Sequence, residues 1–232
     1  MSDSQSKALV LHYQFHFPDG RTVEHKVMLN TEPAPPVADL PEWTRLDFHQ
    51  CRHCPLSVET TTSCPFAVAL REPVARLSDI ASYEEVEAVV HWRGREIRQA
   101  TTIQRAAGAL LGAVSATSGC PHTLPLKAMA WFHWPFSTSD ETIYRSLGTY
   151  LLAQHLRKQR GLEPDWELDG LRATYRNLRQ VNQGMANRLR AAADRDSSVN
   201  AIILLDLLAA DTLYSIDQYD GELDAFFQDH FH

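Results

Sequence analysis

The stretch ALVLHYQFHFPDGRTVEHKVML, residues 8–29, predicts the first structural unit of the chain. Apolar and polar residues alternate through its first half, which is the pattern of a β-strand with one buried face. The segment PDGR (18–21) is typical of a turn. Apolar residues then resume at Val23, Val27 and Leu29. We therefore expect a β-hairpin, followed by a proline-rich connector at 31–41 that runs extended over the surface.

A second hairpin is predicted in EEVEAVVHWRGREIRQATT, residues 84–102, with Arg93 and Gly94 at its turn. Each predicted hairpin is accompanied by a short helical stretch, near 65–80 and near 103–117. The order strand, strand, helix therefore occurs twice, which suggests an internal duplication. The predicted fold class is α+β, in which the two β-hairpins form an antiparallel sheet with short helices and a helical C-terminal half follows.

The chain from residue 137 onward is predicted to be helical. Ser137 and Thr138 are each followed three residues later by an acid, which is the spacing of a capping box. In 167–193 an apolar seam has near-heptad spacing and includes Asn182, whereas the helix near 197–216 is apolar nearly all round. We expect that last helix to lie centrally or in a subunit interface. The predicted division is an α+β part at 1–122 and a helical part at 123–232, packed together or forming one domain.

Composition limits the classes of function. With 232 residues, 44% of them hydrophobic, the chain can bury a core without disulfides. The net charge of −7 argues against nucleic-acid binding. The most apolar window, 201–216, is short for a bilayer and contains Asp206 and Asp211, so no membrane partner is expected. The N-terminal MSDSQSK lacks the pattern of a secretion signal, and we predict a cytoplasmic protein.

Three of the four cysteines lie in HQCRHCPLSVETTTSCPF, residues 49–66. The full spacing is Cys51-x2-Cys54-x9-Cys64-x55-Cys120, and the last three of these are each followed by proline. Because proline fixes φ and removes a backbone N–H, it stiffens the loop after a ligand. Pro65 suits the first position of a helix, which places Cys64 at the N-cap, and Gly119 suits the end of a helix just before Cys120.

Four thiolates can bind either a zinc ion or a [4Fe–4S] cluster. Zinc sites usually combine two close cysteine pairs, whereas here only Cys51 and Cys54 form one, so the spacing favours the cluster. Two other interpretations remain. The cysteines are small buried hydrophobic residues, or Cys51 and Cys54 form a redox dithiol. Pro55 and the threonines at 60–62 interrupt the helix that a thioredoxin-like motif requires.

Other features are assigned secondary roles. Among His49, His53, His122 and His133, we expect only His122 beside the cysteine site. The aromatic segment AMAWFHWPF (128–136) is expected to shield that site from water. An arginine face formed by Arg172, Arg176 and Arg179 is expected to pair with the acidic segment 217–229, the alternative being an anion or an acidic partner. Common nucleotide-binding, hydrolase and metalloprotease motifs are absent, and the sequence does not decide whether the protein is an enzyme.

The blocks CxxCPL, SCPxAxAL, ATSGCPH and ETIYRSLGTYLLAQ resemble, over most of the chain, a family of uncharacterised bacterial proteins. That resemblance implies no particular activity. The residues themselves predict a cytoplasmic metal-binding protein in which Cys51, Cys54, Cys64 and Cys120 bind a [4Fe–4S] cluster for redox transfer or sensing, with a redox or regulatory protein partner. The alternatives are a zinc-stapled structural or interaction protein and a thiol oxidoreductase that uses Cys51 and Cys54. A homo-oligomer is compatible with the apolar last helix.

Overall fold

The computed structural model of the protein describes residues 9–30, 39–192, 196–217 and 223–231. Most of the proline-rich connector, 31–38, and residues 218–222 of the acidic segment lie outside that description. The strands are β1 (Val10–His16), β2 (Thr22–Met28), β3 (Glu85–Trp92) and β4 (Arg95–Thr102). The α-helices are α1 (Pro65–Leu77), α2 (Ile103–Thr117), α3 (Lys127–Trp131), α4 (Ser139–Gln159), α5 (Asp169–Ala192) and α6 (Ser197–Asp217). Short 3₁₀ turns occur at Glu42–Thr44, Leu124–Leu126, Asp224–Phe226 and Gln228–His230.

The four strands form one antiparallel sheet in the order β2-β1-β3-β4. The two predicted hairpins are therefore both present, and they pair side by side through β1 and β3. At the second turn Arg93 and Gly94 both have positive φ, which suits the twist of a tight hairpin. The predicted α+β fold class is confirmed.

One face of the sheet forms the main core. Alternate residues of β1 and β3 are buried there and pack against α1 and α2, while Gln14 and His12 on the opposite face bond to Glu24. The buried strand residues on the core face are Leu11, Tyr13, Phe15, Val86, Ala88, Val90 and Trp92. The core continues from α2 to α5 and α6, since Leu111, Leu189 and Ile202 belong to the same cluster. Burial of this apolar surface is the main stabilising contribution to the fold.

Two helical predictions are confirmed in detail. Thr138 caps α4, and its side chain and that of Glu141 satisfy each other's backbone N–H groups in a capping box. Of the two capping pairs that the sequence offered, the structure uses this one. On α5 the predicted apolar seam is buried together with Asn182.

The last helix, α6, differs from the expectation. Its residues Ala201, Ile202 and Ala209 are buried, but Ile203, Leu207 and Tyr214 are exposed, so central burial is wrong for one side of the helix. A role in a subunit interface stays a prediction. By length and composition the segment Ser198–Asp217 could cross a membrane, with a mean hydropathy of 1.6, and 41% of it is buried inside the protein. Core helices of soluble proteins have the same properties.

Candidate metal centre

The fold brings the four cysteines to one place from three separate chain segments. Cys51 and Cys54 lie in a tight turn after the first 3₁₀ turn, with the Cys54 N–H donating to the Cys51 carbonyl at 3.0 Å. Cys64 is the N-cap of α1, with Pro65 at the first helical position, as predicted. Gly119, with a φ of +83°, ends α2 and turns the chain so that Cys120 follows at once.

All four cysteines line a single cavity between the 46–56 segment, the start of α1 and α5. All four are free thiols. The cavity is otherwise lined mostly by apolar groups, among them Leu46, Leu56, Phe66, Val181 and Met185, together with Arg188. Cys120 is buried and the other three are half-buried. The arrangement is a small enclosed space in which sulfur is the main group able to bind a metal.

Helix α5 packs directly against Cys51 at Gly184. A Cβ atom at that position would lie 3.0 Å from the Cys51 Sγ and 3.5 Å from the His49 carbonyl oxygen. The first distance is shorter than an ordinary van der Waals contact, whereas the second is an ordinary one. The absence of a side chain at 184 therefore lets the Cys51 sulfur lie against the helix backbone.

Arg188 supplies a positive charge at the cavity wall. Its side chain is 1% exposed and donates hydrogen bonds to the carbonyl oxygens of Trp43 (2.7 Å), Arg45 (2.6 Å) and Leu46 (3.0 Å). All three partners are neutral, so the structure gives the guanidinium no hydrogen-bonded carboxylate among the residues that it describes. The pKa of Asp47 is lowered mainly by its hydrogen bonds from Arg45 and also by the charge of Arg188, but this carboxylate is exposed. A buried charge without a hydrogen-bonded counter-ion is costly. An anionic group in the adjacent cavity would reduce that cost.

The thiols themselves show the effect of burial and of each other. Burial, followed by the proximity of Cys64, Cys54 and Cys120, raises the pKa of Cys51 to about 12, and Arg188 partly opposes this rise. Burial also raises the pKa of Cys120, while the backbone N–H groups of His122 and Thr123 hydrogen-bond to its sulfur and oppose the rise. Without a metal, these two thiols are therefore protonated. Hydrogen bonds from backbone N–H groups to sulfur are a common means of adjusting metal-thiolate sites.

A pair of histidines covers one side of the cysteines. The rings of His53 and His122 stack with centroids 3.9 Å apart, and His122 Nε2 donates to the His53 carbonyl at 2.9 Å. His122 also lines the cysteine cavity, so its predicted position beside the site is confirmed. This contact joins the Cys51–Cys54 turn to the segment that carries Cys120. His49 has an exposed side chain with positive φ, and His133 lies elsewhere, against Tyr13.

Both candidate metal groups need the same four ligands. A single zinc ion is held by four thiolates with Zn–S bonds of about 2.3 Å, and a [4Fe–4S] cluster is held by one thiolate on each iron.

Two predictions about neighbouring segments can be compared with the structure. The aromatic segment 128–136 does not line the cysteine cavity, and Phe132 and Trp134 are exposed, so the expected shield is wrong. The arginine face pairs with acids as expected: Arg172 lies 2.8 Å and Arg176 3.8 Å from Asp217. Arg179 instead pairs with Asp206 of α6, at 3.3 Å.

Sequence reasoning missed Gly184 and Arg188. Arg188 lies seven residues after Val181 on the buried side of α5. An arginine at a position of the apolar seam is unusual, and it could have indicated a buried charge near a functional site. Gly184 gave no signal of its own, since only the folded contact shows that it faces Cys51.

Comparison with known proteins assigns a family and no activity. Neither the curated proteins nor the solved structures include a match to the chain. One family model, described as a domain of unknown function, matches residues 11–228, nearly the whole chain. The protein belongs to the family described as domain of unknown function DUF6901.

Proposed function

We propose that Cys51, Cys54, Cys64 and Cys120 bind a [4Fe–4S] cluster and that the protein serves redox transfer or sensing. The observation that carries the proposal is the meeting of four thiols in one enclosed cavity beside the buried Arg188, whose hydrogen bonds among the described residues all go to carbonyl oxygens. A cluster held by four thiolates is anionic, and it would place negative charge beside this guanidinium.

The chain's own residues would hold the centre and adjust its properties. The four cysteines supply all the ligands, and the N–H groups of His122 and Thr123 hydrogen-bond to Cys120. A [4Fe–4S] cluster supplies one-electron redox chemistry. With four protein ligands no iron is left open to a substrate, which favours electron transfer or sensing over Lewis-acid catalysis.

A zinc-stapled structural module is the second candidate. A zinc ion would be bound by the same four cysteines as the cluster. It would stabilise the fold by linking α1, the end of α2 and the 46–56 segment. The sequence spacing, in which only Cys51 and Cys54 form a close pair, favours the cluster over a single zinc ion. The two candidates differ in colour and in metal content, which makes them easy to separate.

A dithiol oxidoreductase is the third candidate, and the electrostatics disfavour it. A reactive cysteine requires a lowered pKa, usually from a helix N-terminus or a nearby cation. Here the Cys51–Cys54 segment forms no helix, and burial raises the pKa of Cys51 to about 12. The Cys51 thiol is therefore protonated at neutral pH and poorly suited to attacking a disulfide, whereas a bound metal ion would stabilise its thiolate and displace the proton.

Access to the centre is from the 52–58 segment. Arg52, Pro55, Ser57 and Val58 in this segment are exposed, while Cys54 beside them is half-buried. The cysteines are thus covered by one layer of chain on this side. We propose that a redox or regulatory protein partner docks over this segment, because electron transfer needs a short path between centres.

The experiment is anaerobic purification, with visible absorption spectra and measurement of bound iron, sulfide and zinc. We expect a brown protein with four iron and four sulfide per chain. Cys120→Ser should lose the cluster. Ser57→Ala, a change at an exposed residue of the 52–58 segment, should keep it. A colourless protein with one zinc per chain would support the second candidate instead. A wild-type protein that stays metal-free after reconstitution, and cycles Cys51 and Cys54 between dithiol and disulfide in Cys120→Ser as well, would overturn the proposal.

A further inference from the structure

A second cavity, of about 510 Å³, is lined from α5 by Tyr175, Leu178 and Asn182, none of which lines the cysteine cavity. Its walls come from α2, the 126–139 segment, α4, α5 and α6. Most of its lining is apolar, including Ala109, Ala113, Leu178 and Leu205. The volume is within the range of pockets that bind small molecules, roughly 300–1,000 Å³. The size and lining suit a ligand with an apolar body.

Arg145 is the charged group that faces this cavity from α4. It donates hydrogen bonds to the Trp134 carbonyl (3.3 Å), the Ser137 hydroxyl (3.0 Å) and the Met129 carbonyl (3.1 Å). These bonds hold the guanidinium in place and leave about two of its five N–H groups without a partner among the described residues. Within that part of the chain none of its hydrogen bonds goes to a carboxylate. The geometry presents a fixed, half-buried cation to the cavity.

Asn182 is a second group without a partner. Its side chain is 8% exposed, lines the cavity from α5, and makes no side-chain hydrogen bond within the described ranges. A buried amide without a partner is costly and is expected to bond with water or a ligand. Together with Arg145 it offers N–H donors toward the same space.

His133 adds an acceptor. The Tyr13 hydroxyl donates to the Ala109 carbonyl at 3.0 Å, so His133 Nε2 donates to the Tyr13 oxygen. Burial, followed by the nearby Arg145, lowers the pKa of His133 to about 3, so the ring is neutral at pH 7. Its Nδ1 is therefore an acceptor, and the residue lines the cavity. The remaining charges are Arg105 and Asp211, which are both exposed and opposite in sign.

We infer that this cavity binds a medium-sized carboxylic acid with an apolar body, its carboxylate on Arg145 and Asn182. An arginine guanidinium matches the two oxygens of a carboxylate with parallel hydrogen bonds. The apolar chain or ring lies along the alanines of α2, and a hydroxyl or N–H group on the ligand would bond to His133. The cavity shares no lining residue with the cysteine cavity, so ligand binding here does not depend on a metal at the cysteines.

The test is calorimetric titration of the full-length protein with decanoate below its micelle concentration, and with 1-decanol as the uncharged analogue. We expect saturable binding of one decanoate per chain, at least tenfold tighter than decanol. Trp134 lines the cavity, so its fluorescence should change on binding, and Trp134→Phe should remove that change.

The variants separate charge from shape. Arg145→Met should weaken decanoate binding at least tenfold and leave decanol binding unchanged. Unchanged decanol binding would also show that the variant folds. Arg157→Met, on the same helix outside the cavity, should match the wild type. Ala109→Leu should weaken both ligands by filling the cavity.

If Arg145→Met does not fold, the comparison of decanoate with decanol on the wild type and on Ala109→Leu still decides the question. Equal affinity for the two ligands, or decanoate binding that Ala109→Leu leaves unchanged, would overturn the inference.

Discussion

Gly184 on α5 faces Cys51 so closely that a Cβ atom at 184 would lie 3.0 Å from the cysteine sulfur. A glycine in the middle of a helix costs about 0.5–1 kcal/mol relative to alanine. Here the glycine gives the Cys51 side chain the room to reach the cavity that the four cysteines share. Gly184 therefore lowers the stability of α5 slightly, and in return it allows the Cys51 sulfur to lie close to the helix.

The first prediction concerns that contact. Gly184→Ala should displace the Cys51 sulfur by a few tenths of an ångström and weaken the metal centre on the order of tenfold, the usual effect of changing a residue that supports a ligand. The measurement is the rate at which an iron chelator removes the metal from the reconstituted protein. Gly148→Ala on α4 is the matched control, because a Cβ there would meet nothing within 4 Å.

The control should retain its iron like the wild type and gain up to about 1 kcal/mol in its free energy of unfolding. Loss of iron from Gly184→Ala at the wild-type rate would show that Cys51 does not depend on this glycine.

The second prediction concerns Arg188. Arg188→Met leaves the carbonyl oxygens of Trp43, Arg45 and Leu46 without this donor and should lower the free energy of unfolding by about 2–4 kcal/mol. It should also lower the reduction potential of the centre, because a nearby positive charge stabilises the more negative, reduced state. Urea unfolding and a redox titration of the reconstituted protein measure the two effects.

Arg188→Lys separates the charge from the hydrogen bonds. It should lose stability but keep a potential close to that of the wild type, since the cation is retained. Arg190→Met, a change at an exposed arginine two residues along α5, should alter neither quantity. If Arg188→Met and Arg188→Lys have the same reduction potential, the charge of Arg188 does not affect the centre and its role is only structural.

The third prediction concerns pH. Burial and Arg145 lower the pKa of His133 from 6.5 to about 3, so the unfolded chain binds a proton below pH 6.5 that the folded protein does not. Stability is therefore lost as the pH falls from 6.5 toward 3, by up to about 1.4 kcal/mol per pH unit from this group. The measurement is the difference in free energy of unfolding between wild type and His133→Gln at several pH values.

That difference should shrink steadily below pH 6.5 and stay constant above it. A constant difference for His133→Gln would mean that the folded protein and the unfolded chain protonate this ring at the same pH.

The regular elements were predictable because each has a local cause. Alternation of apolar residues determined both hairpins. The turn at Arg93 and Gly94 has two left-handed residues, and Gly94 supplied the sequence signal for it. The α4 N-terminus was predictable from the capping-box spacing, although only the fold decides between Thr138 and its neighbour Ser137. The cap position of Cys64 followed from Pro65 in the same way.

The failures have a common physical cause, since each depends on contacts between distant segments. Composition predicted that α6 would be buried all round, but only one side packs on α2 and α5, and Leu207 on the other side is exposed. The aromatic segment was placed near the cysteines because it follows Cys120 in sequence. The chain instead leads it to the second cavity, where Trp134 and Phe136 form part of the wall.

Native mass spectrometry of anaerobically purified protein decides whether Cys51, Cys54, Cys64 and Cys120 together hold one inorganic cluster, because the mass identifies what each chain carries. We expect a chain heavier than the polypeptide by one [4Fe–4S] unit, and a Cys120→Ser chain at the mass of the bare polypeptide. A wild-type chain with a single zinc ion, or with no metal at all after reconstitution, would rule out a shared cluster.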